Sequence, residues 1–388
     1  MKRTRLMIPA IGLFLFIQTA HADWTAALRL TWNPGYSGWP AIAIDSSNAL
    51  HVVWSDDTPG NREIFYKRST NGGTTWSGAQ RLTWTPGLSL LPVIAIDSSN
   101  ALHVVWSDDT PDNVEVYYRR STDGGTTWSA VKRLTWTSGS SFRPAIAIDL
   151  SNAIHVFWDD DSPDSYQEIF YTRSTDGGAT WSAVKRLTWI SGLAVTKAIA
   201  IDSDNFIHLV WHNWIFHTYT DDNYDIFYKR STDGGATWST SRRLTPASGY
   251  SQDPAIAIDS GNIIHMIWVD CPPGLSDVYY KRSTDGGATW SVAKRLTWTS
   301  GDSTSPAMAG DSSDPLHIVW TDYTAGDGEV YYKKSLDSGK TWSHAERLTW
   351  TSGNSYCPEM AIDADDLIHV VWFDDTPGNY EIYYKRGN

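Results

Sequence analysis

Ser121-Thr122-Asp123-Gly124-Gly125-Thr126-Thr127-Trp128 is the stretch that decides the fold. It recurs at 174–181, 231–238 and 283–290, with looser copies at 69–76, where Asn71 replaces the aspartate, and at 335–342. Self-similarity at a fixed period of tens of residues signals a repeat architecture. The adjacent glycines permit the positive-φ conformations of a tight hairpin turn. An Asp carboxylate accepts hydrogen bonds from N–H groups of its own turn. The tryptophan then anchors the strand that follows.

Working outward, Arg-Leu-Thr marks each unit, its arginine falling at 29, 81, 133, 186, 243, 295 and 347. The steps are 52, 52, 53, 57, 52 and 52 residues. An apolar run such as 41–45 and a run ending in tryptophan (Trp54, Trp106, Trp158, Trp211, Trp268, Trp320, Trp372) also occur seven times. The second unit shows four strand-like segments, 93–97, 101–107, 115–121 and 128–136. Short alternating runs of β-branched and aromatic residues, bounded by Gly, Pro, Asn and Asp, are strand signals. Four strands per unit in seven units predict an all-β, seven-bladed β-propeller with antiparallel blades. The last unit stops after its third strand, and residues 24–32 match the missing fourth. The N-terminal strand is therefore expected to complete the last blade, leaving no open sheet edge. Residues 23–388 read as one domain.

The pattern S-x-D-x-G-x-T-W resembles the Asp-box of the sialidase-type BNR repeat families. That resemblance covers nearly the whole exported chain and implies a propeller. Sialidase activity would further require an x-R-I-P arginine, other arginines gripping a carboxylate, an acidic general acid and a Tyr–Glu pair. Phe142-Arg143-Pro144 is similar to the first but lacks the isoleucine and sits in the third unit. No Tyr–Glu pair is found, and sialidases have six blades rather than seven. The resemblance therefore implies the fold and carries no active site with it.

Lys2, Arg3 and Arg5 precede an apolar run over 6–16, and Ala20-His21-Ala22 has the form of a cleavage site. Residues 1–22 are thus expected to be a signal peptide cleaved near Ala22, giving a secreted or periplasmic protein. The run is too short to span a bilayer. Losing those three basic residues takes the formal charge from −13 to −16. Such acidity argues against nucleic acid or anionic membranes as partners. Cys271 and Cys357 do not make a disulfide framework. Export would allow one bridge, but the repeats place these loop residues two units apart.

Residues present in nearly every copy read as scaffold. The seven histidines His51, His103, His155, His208, His265, His317 and His369 sit one per blade, too far apart to share an ion at ~2 Å ligand distances. They are expected to make core or inter-blade hydrogen bonds. The repeated tryptophans read as packing between blades, with one lectin-like stacking pocket per blade as the alternative. Recurrent acidic residues, such as Asp56 and Glu63, suit turn chemistry. They could also draw a structural Ca²⁺, though no D-x-D-x-D-G loop occurs. No cofactor or metal is expected.

Function is sought where the copies disagree, since loops on a rigid scaffold usually carry it. The residues before the innermost strand vary: Gly38-Trp39, Leu90-Leu91, Phe142-Arg143, Thr196-Lys197, Gln252-Asp253, Thr304-Ser305 and Tyr356-Cys357. The fourth unit carries a long loop over 212–224, and Trp39 and Trp214 stand outside the repeat pattern. Aromatic faces stack on sugar C–H surfaces while polar side chains bond hydroxyls. Trp39, Phe142, Arg143, Lys197, Trp214, Tyr219, Asp253 and Tyr356 are accordingly the expected ligand-binding residues. The favoured function is lectin-like recognition, by a monomer, of a glycan or a cell-surface or extracellular protein. The alternative is a sialidase-like glycoside hydrolase or a polysaccharide lyase. Its candidate catalytic residues are Arg143, His212, His217, Tyr219, Asp221 and Asp253, with Asp222 as a further carboxylate.

Overall fold

The computed structural model describes residues 23–110, 112–162, 166–189, 192–216, 222–246, 249–272, 274–310 and 315–388. The expected signal peptide lies outside them. All regular structure among the described residues is β. The chain enters as β1 (Leu28–Arg29). It then builds an antiparallel sheet from β2 (Ser37–Ile44), β3 (Leu50–Asp56), β4 (Glu63–Ser69) and β5 (Gln80–Arg81). This order repeats, and the described strands form seven four-stranded sets, the fourth and fifth touching through one parallel bridge between Tyr224 and Tyr250. The first strand of each set neighbours the first strand of the next, and β2 neighbours both Ser89–Ile96 and Ser355–Ile362. The innermost strands thus close a ring.

Closure falls where the end of the chain needs it. β1 pairs with Glu381–Gly387, Leu28 opposite Tyr384 and Arg29 opposite Tyr383. Arg29 Nη2 lies 2.6 Å from Glu381 Oε1, a carboxylate with no exposed surface. The fourth strands are shorter than expected. In the second set only Lys132–Arg133 pairs, because Val116 N donates to the Thr135 hydroxyl at 2.9 Å rather than to a backbone carbonyl.

The core lies between blades. Ile64, Tyr66 and Leu82 of one sheet pack with Leu102, Val104 and Trp106 of the next. Trp106 is fully buried, as are its six counterparts to within 1%. Removing an indole of 150–250 Å² from water contributes roughly 4–6 kcal/mol.

The repeated turn ties neighbouring blades together. Asp123 Oδ1 accepts from Thr127 N at 2.8 Å, and Oδ2 accepts from the Thr127 hydroxyl at 2.6 Å. These bonds and one from Ser121 hold the carboxyl down at about 2. Gly125 has φ 82°, and a Cβ there would collide with the Tyr66 hydroxyl of the preceding blade. Trp128 meets the Tyr66 ring edge-on at 5.2 Å. Arg68 donates to the Gly124 carbonyl at 2.7 Å.

The repeated histidines hold this same seam. His51 Nε2 lies 3.2 Å from Asp45 and Nδ1 lies 2.8 Å from the Tyr66 hydroxyl. Burial pushes the imidazole below its ordinary value. A neutral ring protonated on Nε2 donates to Asp45 and accepts from Tyr66. The repeated acidic residues are equally structural. Buried Glu63 pairs with Arg81 at 2.6 Å, and Asp56 accepts from Ser37, Asn33 and Trp54.

One expectation is overturned. The tryptophans that follow Arg-Leu-Thr do not pack between blades: Trp32, Trp84, Trp136, Trp189, Trp298 and Trp350 are 64–71% exposed. In the Arg-Leu-Thr-Trp run the leucine and threonine take the inward positions, and the indole lies at the surface beyond them.

Candidate functional site

Every first strand is interrupted by a bulge at the variable residues. The register shifts between Gly38 and Ala41, Leu90 and Val93, Phe142 and Ala145, Thr196 and Ala198, Gln252 and Ala255, Thr304 and Ala307, and Tyr356 and Glu359. Outside the fourth set the residue before the bulge proline is left-handed: Trp39 (φ 51°), Leu91 (52°), Arg143 (48°), Asp253 (51°), Ser305 (50°) and Cys357 (45°). A non-glycine residue held there costs on the order of 1–3 kcal/mol. The backbone conformation repeats while the side chain does not. A scaffold that keeps a strained presentation and changes what it presents has the character of a binding surface.

Where the last and first blades meet, the bulges join an aromatic cluster. Trp39 lies 5.5 Å from Tyr36, centroid to centroid, and Tyr36 lies 4.9 Å from Tyr380. Phe373 contacts Tyr36, Tyr356 and Tyr380 at 5.5–6.2 Å. The Arg62 guanidinium stands 4.5 Å from the Tyr36 ring and 4.8 Å from Trp39. Phe373 is buried as a floor, whereas Trp39, Tyr36, Tyr356 and Tyr380 are half-buried. Burial raises the hydroxyls of Tyr36 and Tyr323, and brings Tyr356 up to about 12 with help from Tyr323 and Tyr380. These phenols stay protonated at neutral pH and can donate hydrogen bonds.

Trp214 belongs to a second cluster, on the fourth blade. The expected loop over 212–224 is largely a lengthened hairpin, with strands Ile207–Phe216 and Asp222–Ser231. Cross-strand pairing drives the change. Trp214 sits opposite Tyr224 and stacks on it at 5.6 Å and 15°, and Tyr224 reaches Tyr250 at 5.5 Å. His212 is buried edge-on to Tyr224.

The remaining expected residues do not gather into one site. Arg143 is turned to Asp159 at 3.2 Å, its side chain 43% exposed and therefore still open to a ligand. Phe142 and Asp253 occupy their own blades' bulges. Lys197 marks the fourth bulge, with its side chain outside the description, and His217, Tyr219 and Asp221 lie outside the described residues. Cys271 and Cys357 are not joined by a disulfide. Among the described residues no group of three or more His, Cys, Asp or Glu could hold a metal ion, and no helix is long and apolar enough to cross a membrane.

Reading only the position before each first strand missed Tyr36, Arg62, Tyr323, Phe373 and Tyr380. A signal existed. The residue before each third strand also varies (Arg62, Val114, Gln167, Tyr224, Ser276, Gly328, Tyr380), as does the residue after each buried tryptophan.

The family model for the BNR repeat-like domain matches residues 106–319 and 199–367, more than half of the chain. The chain belongs to the BNR repeat-like family. No curated protein matches it. Among solved structures, this BNR repeat-like protein is similar to one of unknown function from Dyadobacter fermentans, at 12% identity and TM-score 0.62, covering 95% of this chain and 99% of that one. It is similar to an ulvan lyase of a polysaccharide lyase family, at 11% identity and TM-score 0.66, over 91% and 94% of the two chains. A Hadza microbial sialidase is similar at 16% identity and TM-score 0.54, over 87% and 73%. At these identities the likeness is one of fold.

Proposed function

We propose that this is an exported glycan-binding propeller that takes a sugar ring on the aromatic cluster between its last and first blades. The observation that carries this reading is Trp39. It is held at positive φ on a bulge and half-exposed, beside Tyr36 and Arg62. Its indole supplies a stacking face, Arg62 and the tyrosine hydroxyls supply donors, and Phe373 closes the floor. The carboxylates nearest the cluster, Asp57 and Asp375, are engaged by backbone N–H groups of Tyr36 and Asn354, which favours binding without chemistry.

Trp39→Ala and Arg62→Ala, tested on a glycan array with titration calorimetry on the hits, examine the reading. Each is expected to lower affinity by about tenfold or more, with the melting temperature within a few degrees of the parent. Unchanged binding in both variants would remove the cluster from consideration. Release of reducing sugar or unsaturated product by the purified protein would replace a binder with an enzyme.

A further inference from the structure

Six large apolar side chains stand exposed at equivalent positions around the ring. Trp32, Trp84, Trp136, Trp189, Trp298 and Trp350 each follow an outermost strand and are 64–71% exposed, so one indole face is open to solvent. The other face rests on cations. Arg81 and Arg119 stand 5.7 and 5.8 Å from the Trp84 ring. Arg347 and Lys385 stand 5.8 and 5.4 Å from Trp350. At Trp32, Trp84, Trp189, Trp298 and Trp350 the two cations come from adjacent blades, so these indoles lie over a seam, while Trp136 stands 5.7 Å from Arg133.

The fold itself supplies a control. In the fourth unit Pro246 takes this position, yet the fourth blade keeps its strands and its Arg243–Asp225 pair at 2.5 Å. Lys281 of the next blade still bonds the Leu244 carbonyl. An indole is therefore not needed to build the seam. Single exposed apolar side chains are ordinary on a protein surface, so it is the repetition of six indoles at equivalent positions, which the seam does not require, that points to a contact surface.

We propose that the six exposed tryptophans are stacking platforms for a neutral polysaccharide, one per seam, engaged together along a chain or an insoluble surface. The chemistry selects that ligand. Arg81 and Arg347 are committed to the buried carboxylates of Glu63 and Glu329, each at 2.6 Å, and Arg119 to the carbonyls of Ser129 and Leu82. Lys385 is committed to the Leu348 carbonyl at 2.7 Å. The charge of −13 repels polyanions and anionic bilayers. One isolated indole per blade is too small a patch for a protein interface, which needs a continuous buried core. A pyranose face matches a single indole, and repetition supplies the avidity that single weak sites lack. The proposal does not depend on the Trp39 cluster, which is a separate site.

The test is co-sedimentation with amorphous cellulose, chitin, insoluble xylan and starch granules. The proteins compared are the parent, Trp39→Ala, a variant with Trp32, Trp136 and Trp298 changed to Ala, and one with all six changed. The parent and Trp39→Ala should pellet with at least one polysaccharide. The triple variant should bind more weakly, and the six-fold variant should lose about 100-fold or more in apparent affinity. Iodide quenching of the unmodified protein's fluorescence should fall when a soluble oligosaccharide of whichever polysaccharide it pellets with is added, a readout that needs no variant to fold. Parent protein that pellets with none of the four, or a six-fold variant that pellets equally, would overturn the proposal. So would tryptophan-dependent binding to phosphatidylcholine vesicles, or loss of self-association in the six-fold variant. Pelleting lost in Trp39→Ala but kept in the six-fold variant would leave the proposed function standing and remove the platforms.

Discussion

Acidification tests the histidine seams directly. His51, His103, His155, His208 and His369 are held below the ordinary value of 6.5, chiefly by burial, against the upward pull of Asp45, Asp97, Asp149, Asp202 and Asp363. In the unfolded chain each imidazole protonates near 6.5; in the folded ring it does so only at lower pH. The unfolded state thus binds more protons in that window, and stability rises with pH. The contribution is complete above 6.5 and is lost as pH falls from there toward the folded-state values. Each group contributes at most ~1.4 kcal/mol per pH unit, so the five reach at most about 7 kcal/mol per unit. That is comparable with the whole stability of a typical domain, roughly 5–15 kcal/mol. Urea titrations at 25 °C, followed by tryptophan fluorescence from pH 8 to 5, should show a steady midpoint down to about 7 and a steep fall below 6.5. His103→Gln should cost stability at pH 7 and reduce the acid slope by about a fifth. The carboxyls of Asp45, Asp97 and Asp149 are held below 3.8, so their stabilisation is lost only at more acid pH and does not blur this window. A midpoint independent of pH between 7 and 5 would refute the reasoning.

Two further outcomes are expected. Deleting residues 23–32 removes Arg29 from the buried Glu381, strips Leu30 from the seam between the last and first blades, and strips Trp24 from the seam between the sixth and last. A cost of at least ~3–5 kcal/mol should lower the melting temperature by about 5 °C or more, and an unchanged value would count against closure by this strand. Gly125→Ala forces a Cβ toward Tyr66 at φ 82°, whereas a Cβ at Gly78 meets nothing. Chemical denaturation should therefore show a clear loss for the first and a change within about 1 kcal/mol for the second; equal effects would contradict the seam geometry.

The architecture was legible because it is written many times. Glycine pairs, Arg-Leu-Thr and buried tryptophans recur in step, so comparing the copies separates scaffold from variation. Trp39 and Tyr356 emerged in that way. Arg62 and Tyr380 escaped because they approach the cluster from a different connection, and only the third dimension brings those connections together. The exposed tryptophans were misjudged for the opposite reason. Recurrence reads as packing, yet recurrence alone does not distinguish a buried ring from one repeated on the surface. The Trp214 hairpin was misjudged because its polar composition suits a loop, while its cross-strand aromatic pairs favour a ladder.

The Arg68 and Tyr66 reach into the next blade's turn has a kinetic consequence. In an open solenoid the terminal unit has one neighbour and can fray by breaking one interface. Here every unit has two, because Arg386 of the last blade donates to the Gly72 carbonyl of the first and Tyr384 meets Trp76 edge-on. Loosening any blade must break two seams at once, so partial opening is discouraged and rupture should proceed as a single event. Cleavage within the ring must then wait for it to open as a whole, an arrangement that suits the exported role proposed above.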